Sequence, residues 1–170
     1  MQQTSSISVP DPEKAKLLTR LNGPGFNLHL LSKLPSAFFM GVRIKHCDTR
    51  RCEVTVPFWW GSQNPFKSVY FAAQNSAAEL STGALALTGI AGNGKYSMLI
   101  IESTAKYFKK AKSKITFICE DGELIQQAIS DADESGEGTT FKATSRGYLS
   151  HGDLASEMTF TWSFLKRPED

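Results

Sequence analysis

From Gly41 the apolar positions recur at every second residue, with Val42, Ile44 and His46 on one side and Arg43 and Lys45 on the other. Beyond the polar stretch Asp48-Thr49-Arg50-Arg51, Cys52, Val54 and Val56 alternate in the same way with Glu53 and Thr55. Strand side chains point alternately to opposite faces, so two such runs joined by a short polar turn predict a β-hairpin. Upstream of it the period is helical. Asp11-Pro12-Glu13 supplies an N-cap and a proline at the first helical position, and Ala15, Leu17, Leu18 and Leu21 follow. Asn22-Gly23-Pro24-Gly25 stops that helix. Phe26, Leu30, Leu31 and Leu34 then predict a second short helix that Pro35 closes. Residues 1–10 are polar and Ser-rich, and fraying is expected there.

Pro57 ends the hairpin and an aromatic loop follows, Phe58-Trp59-Trp60-Gly61-Ser62-Gln63-Asn64-Pro65-Phe66. Residues 68–88 then carry a single charge, Glu79, among apolar and small side chains. A helix that is apolar all round belongs inside a core, and its alanines and glycines let a sheet approach closely. Residues 89–94 end it. Strands are predicted over 96–108 and 114–119, a helix or connector over 123–132, and a closing hairpin over 139–149 and 154–165 that turns at His151-Gly152-Asp153. This order predicts an α+β fold, an antiparallel sheet with segregated helices. It divides the chain into an N-terminal helical extension, 1–34, and a main domain, 35–170.

At 170 residues, 41% hydrophobic and 21% charged, the chain suits one globular domain. Nineteen Lys and Arg against seventeen Asp and Glu leave a net charge of +2, which gives no reason to expect a nucleic-acid partner. No apolar run approaches the roughly 20 residues of a membrane span, and the first residues lack a signal peptide's basic and apolar regions. The expectation is a cytoplasmic protein. Three cysteines give no disulfide framework.

Several familiar chemistries can be set aside. Gly89-Ile90-Ala91-Gly92-Asn93-Gly94-Lys95 fits the start of a phosphate-binding loop, but Tyr96 stands where Ser or Thr must hold magnesium. The motif also leaves a helix and enters a strand, the reverse of the required order. His46 and Cys47 point to opposite faces, so with Cys52 and Cys119 they make a poor metal site; buried thiols are the simpler reading. His29, His46 and His151 have no spacing suited to a Ser–His–Asp triad. No metal and no cofactor is expected.

Glu79 is the informative residue. A carboxylate on an apolar helix is expensive to bury unless it is paired or used. Asn75 and Ser76, four and three residues earlier, share its helix face. Such a group is suited to act as a general base or nucleophile. Free amides at the helix start, from Ser68 to Phe71, would face a developing oxyanion, and Asn64 just upstream would orient a water or carbonyl. The plainer alternative is that Glu79 pairs with a lysine or the backbone while Asn64 or Ser68 caps the helix. Lys106, Lys109, Lys110, Lys112 and Lys114 cluster at a strand-to-strand turn. They make either a solvated edge that resists aggregation or a patch for an anionic substrate such as coenzyme A phosphates.

Together, Phe39-Met40-Gly41-Val42-Arg43-Ile44 before the first strand, the segment from Asn64 to Glu79, and Tyr107-Phe108-Lys109-Lys110-Ala111-Lys112 resemble the hotdog superfamily. The resemblance covers roughly residues 35–165 and is to a thioesterase-like branch related to the phenylacetate-pathway enzymes. It implies an antiparallel sheet wrapped around one long central helix, hydrolysis of acyl-coenzyme A thioesters, and a homodimer or dimer of dimers joined sheet edge to sheet edge. In that group an Asn precedes a His-Gly-Gly turn and an acid follows on the central helix. Asn64 and Glu79 match the Asn and the acid in type and in their fifteen-residue separation, but Tyr70-Phe71-Ala72 replace the turn. By resemblance the Phe71 amide is the oxyanion donor, Asn64 positions thioester or water, and Glu79 activates water, with Asn64 and Glu79 from opposite subunits. Tyr70, Asn75 and Ser76 would contact substrate and Lys109, Lys110 and Lys112 its phosphates. Phe38, Phe39, Phe58, Trp59, Trp60 and Phe66 are candidates to line an acyl channel, although such aromatics are more often core or interface residues. The rivals are an acyl-coenzyme A-binding protein without catalysis and a structural oligomer without a ligand.

Overall fold

The structure is a computed structural model that describes residues 11–168. Six antiparallel strands form one sheet: β1 (Arg43–Cys47), β2 (Cys52–Val56), β3 (Tyr96–Tyr107), β4 (Ile115–Cys119), β5 (Thr139–Leu149) and β6 (Leu154–Lys166), in the order β1-β2-β4-β5-β6-β3. Helices α1 (Pro12–Asn22), α2 (Phe26–Lys33) and α3 (Pro35–Phe39) precede the sheet, α4 (Phe71–Ile90) joins β2 to β3, and α5 (Gly122–Ser135) joins β4 to β5. The expected α+β fold is present. Residues 1–10, where fraying was expected, lie outside the described residues.

The strand alternation becomes an inner face. Cys52, Val54 and Val56 on β2, Ile115, Phe117 and Cys119 on β4, and Met158, Phe160, Trp162 and Phe164 on β6 are all buried. They enclose α4, whose buried positions run around the helix from Ala73 to Gly89, as its lack of a polar face requires. Three polar side chains that α4 carries into the core are partnered. Ser81 shares a 2.7 Å hydrogen bond with Ser145, Gln74 accepts from Ser156 at 2.9 Å, and Trp162 Nε1 donates to Thr82 at 3.1 Å. Buried polar groups are tolerable only when paired in this way.

The N-terminal helices share the same core through Leu21, Phe26 and Leu30. Asp11 caps α1 by accepting from the Glu13 amide at 2.8 Å, and Pro12 begins the helix. Asn22 then finishes the free edge of β1: its Oδ1 accepts from the Cys47 amide at 2.9 Å and its Nδ2 donates to the Cys47 carbonyl at 2.7 Å. Among the described residues three helices precede the sheet rather than the two expected. Pro35 ends α2 but also starts α3, because the fixed φ of proline suits a first helical position. The ambiguous segment 123–132 is a true helix, longer than expected, with Ile125 and Ile129 buried.

Gly147 on β5 lies opposite Phe117 on β4. A Cβ there would stand 2.6 Å from Phe117 Cε1 and 2.8 Å from Ile115 Cδ1, both on fully buried side chains with no room to retreat. Gly147→Ala is therefore expected to destabilise the fold by about 1–3 kcal/mol through overpacking. Urea unfolding, with an unchanged slope and a lower midpoint, is the measurement that checks it.

Candidate functional site

α4 packs on β2, β4 and β5 and only lightly on β6. At the far edge of the sheet, β3 pairs among the described residues with β6 alone, and Leu99 and Ile101 are exposed. Between β3 and the first half of α4 lies an open cleft of about 920 Å³. Glu79, Asn75 and Ser76 line it from one helix face, with Phe71 and Tyr70 at the helix start. Ser103, Thr104 and Tyr107 from β3, Phe160 from β6 and Met40 close the other sides.

Glu79 is largely desolvated, and that burial raises its carboxyl pKa above the ordinary 4.5. Its carboxylate has no hydrogen-bond or ion-pair partner among the described residues, so pairing with a lysine or the backbone is not the reason for its presence. The indole of Trp162 supplies part of the apolar surroundings. Gly83, one turn further along α4, makes room for both groups: a Cβ there would meet Glu79 Oε1 at 3.3 Å and the indole at 3.3 Å. A carboxylate in such a place is unusually ready to hold a proton.

The start of α4 is uncapped by any side chain. The Phe71 and Ala72 amides donate to no described residue, which leaves them available at the mouth of the cleft. Asn64 has a local structural task. Its Oδ1 accepts from the Phe66 amide at 3.0 Å and from the Ser68 amide and hydroxyl at 3.2 Å, so it shapes the loop leading into α4. Its Nδ2 has no partner among the described residues.

Asn64 and Glu79 do not meet within one chain. Asn64 lines a second cavity, about 320 Å³, with Lys109 and Lys110, and the side chains of Phe71 and Tyr107 border both spaces. Lys109, Lys110 and Lys112 also line a third cleft of about 430 Å³ beside His151 and Asp153. There Lys109 donates to Asp153 at 2.5 Å, which holds the Asp153 carboxyl below the usual carboxylate range. One of the three cations is thus partly neutralised.

The six aromatics expected to form an acyl channel do not line the cleft. Phe38 and Phe58 pack at the rim of the core, while Phe39, Trp59, Trp60 and Phe66 are exposed, Trp60 to 83%. The apolar wall comes instead from Met40, Phe71, Ala72, Ala105 and Phe160. The sequence reading also assigned no role to Tyr107, although Asn75 Nδ2 donates to its hydroxyl at 2.7 Å. A contact between residues 75 and 107 leaves no local periodic signal. The three cysteines are buried, Cys52 facing Cys47 on one side and Cys119 on the other. Among the described residues no cluster of three or more His, Cys, Asp and Glu is suited to a metal ion. Nor is any described helix long and apolar enough to cross a membrane.

A long, nearly uncharged helix wrapped by an antiparallel sheet, with the cleft at the free edge, defines the hotdog fold. The chain belongs to the family described as a domain of unknown function, DUF4442, whose model matches residues 26–164. No curated protein matches this sequence. Among solved structures, a Pseudomonas aeruginosa protein described as of unknown function and a probable thioesterase is 20% identical, with 94% of this chain and 99% of that one covered at a TM-score of 0.71. A Chlorobaculum tepidum protein of unknown function is 17% identical over 93% of this chain and 97% of that one, with a TM-score of 0.72. A Haemophilus influenzae thioesterase is 15% identical over 85% and 90%, with a TM-score of 0.57. At these identities the likeness is one of fold.

Because burial raises the Glu79 pKa, the folded protein disfavours its ionised form. Stability from this group is full below the unfolded value of 4.5 and declines as pH rises through the folded value. Glu79→Gln is thus expected to melt higher than the wild type near neutral pH, with the difference closing as pH falls below 4.5. A series of thermal melts across pH checks the sign.

Proposed function

We propose that this protein hydrolyses acyl-coenzyme A thioesters, with Glu79 activating water. The observation that carries the reading is an unpaired carboxylate, desolvated in a largely apolar cleft that residues at the uncapped start of the same helix also line. The acyl group lies in the cleft with its carbonyl oxygen toward the Phe71 and Ala72 amides. Glu79 takes a proton from water as the water oxygen bonds to the carbonyl carbon. The oxygen's growing negative charge is met by the amides and the positive end of the α4 dipole. When the tetrahedral adduct collapses, the carbon–sulfur bond breaks and the proton on Glu79 passes to the leaving sulfur, giving a carboxylic acid and a thiol.

The raised pKa suits this cycle, since a base must hold the proton long enough to return it as an acid. Lys109, Lys110 and Lys112 meet the coenzyme phosphates as mobile point charges, in the clefts adjoining the main one. Following the hotdog resemblance, two chains join along β3 and each lends Asn64 to its partner's cleft. The separate cavities of Asn64 and Glu79 and the exposed Leu99 and Ile101 support that arrangement. The names of the Pseudomonas and Haemophilus neighbours support the substrate class.

One observation favours a second reading, an acyl-coenzyme A-binding protein without catalysis. Tyr70-Phe71-Ala72 begin α4, and their side chains limit how closely a thioester reaches the backbone amides, where glycines would not.

Thiol release from acyl-coenzyme A substrates of graded chain length separates the two. Glu79→Ala is expected to lower kcat/KM by about 10²–10⁴-fold, the usual worth of a general base. Hydrolysis unchanged by the substitution would remove Glu79 from the mechanism, and tight binding without turnover would establish the second reading.

A further inference from the structure

Asn75 on α4 and Tyr107 at the end of β3 meet at the mouth of the cleft. The Asn75 amide nitrogen lies 2.7 Å from the Tyr107 hydroxyl oxygen and 3.1 Å from the Phe71 carbonyl oxygen. A carbonyl only accepts, so the Phe71 contact fixes which end of the amide faces this way. Asn75 therefore donates to both, and the Tyr107 oxygen is an acceptor in this pair. Its own proton has no acceptor among the described residues. The phenol is aimed by one hydrogen bond and still has one to give.

What it has to give it to is the cleft. Asn75 stands four residues before Glu79 on the same helix face, a rise of about 6 Å along the axis. A small group held between the Tyr107 hydroxyl and the Glu79 carboxylate would have a hydrogen-bond donor on one side and a proton acceptor on the other. Tyr107 and Phe71 also border both this cleft and the cavity of Lys109 and Lys110. A chain whose phosphates lie at those lysines and whose acyl group enters the cleft must pass between them. Its thioester would then come to rest beside the phenol.

We propose that Tyr107 is a further catalytic residue, donating its phenolic O–H, aimed by Asn75, to the carbonyl oxygen of the bound thioester. The inference rests on the thioester reading above and adds a donor to it. As water adds to the carbonyl carbon, the oxygen gains charge and the Tyr107 hydrogen bond strengthens; the proton stays on the phenol throughout, so Glu79 alone carries a proton between water and sulfur. Partial burial raises the phenol pKa above its ordinary 10, which keeps the donor protonated at neutral pH. A side-chain donor from β3 also compensates for a helix start that lacks glycine. Asn75 is a positioning residue in this scheme.

A latch that merely ties β3 to α4 would use the same hydrogen bond, and the test separates the two. Full-length wild type and Tyr107→Phe are compared in thiol release and in binding of two non-hydrolysable coenzyme A ligands. One is a ketone in which methylene replaces the thioester sulfur; the other is an alkyl thioether without a carbonyl. Tyr107→Phe is expected to lower kcat by about 10²–10³-fold, as loss of one oxyanion donor does, with KM raised by no more than its affinity for the ketone falls. It is expected to bind the ketone at least about tenfold more weakly and the thioether as the wild type does. Wild-type turnover that Tyr107→Phe leaves intact would overturn the inference while the thioesterase reading stands. Equal loss of affinity for both ligands would also overturn it, leaving a latch. Absence of thiol release from the wild type would overturn hydrolysis, and with it the catalytic role of Tyr107.

Discussion

The structure depends on burying a twenty-residue helix that carries a single ionisable side chain. Neither face of α4 can be left to water, so the sheet must wrap it. That need accounts for the strict alternation on β2, β4 and β6 and for the small residues along the helix. It accounts also for Gly147, where Phe117 takes the space of a side chain. The polar atoms that enter with the helix are tied off one by one, Gln74 to Ser156, Ser81 to Ser145, and Thr82 to Trp162. Each of these bonds also fixes the helix against a particular strand, so the polar interior sets the position of α4 while the apolar interior supplies most of the driving force.

The burial is incomplete on one side, and that is where the chemistry lies. β3 continues the sheet past β6, but α4 does not follow it. The helix face bearing Asn75, Ser76 and Glu79 looks into the gap. Glu79 therefore has the desolvation of an interior residue without an interior partner, and its raised pKa follows directly from that position. The same gap collects the uncapped amides of the helix start and the phenol of Tyr107. An acid, two amide donors and a phenol stand around one space for a single reason: the sheet is wider than the helix it covers.

Much of this was legible in the chain. The hairpin of β1 and β2, the lone acid of a buried helix, and the shared face of residues 75, 76 and 79 follow from periods of two and of 3.6, which depend on neighbouring residues alone. Aromatic content alone does not say which surface a side chain lines. Trp60 and Phe66 lie outside, while Met40 and Phe160, less conspicuous in the sequence, form the wall. Pro35 is a stop for α2 and equally a start for α3, because proline is compatible with both.

The sequence by itself determined the run of strands and which helix is central, since local periodicity and charge depletion state those demands without reference to the rest of the chain. Only the tertiary structure decided which buried faces meet. The strand order β1-β2-β4-β5-β6-β3 brings residues 75 and 107 to a hydrogen bond and sets Asn64 and Glu79 in separate cavities. Those relations depend on pairing and register between segments far apart in the chain. No period within a segment encodes them, because each strand's alternation is satisfied by many neighbours and only the packing of all six around one helix selects among them.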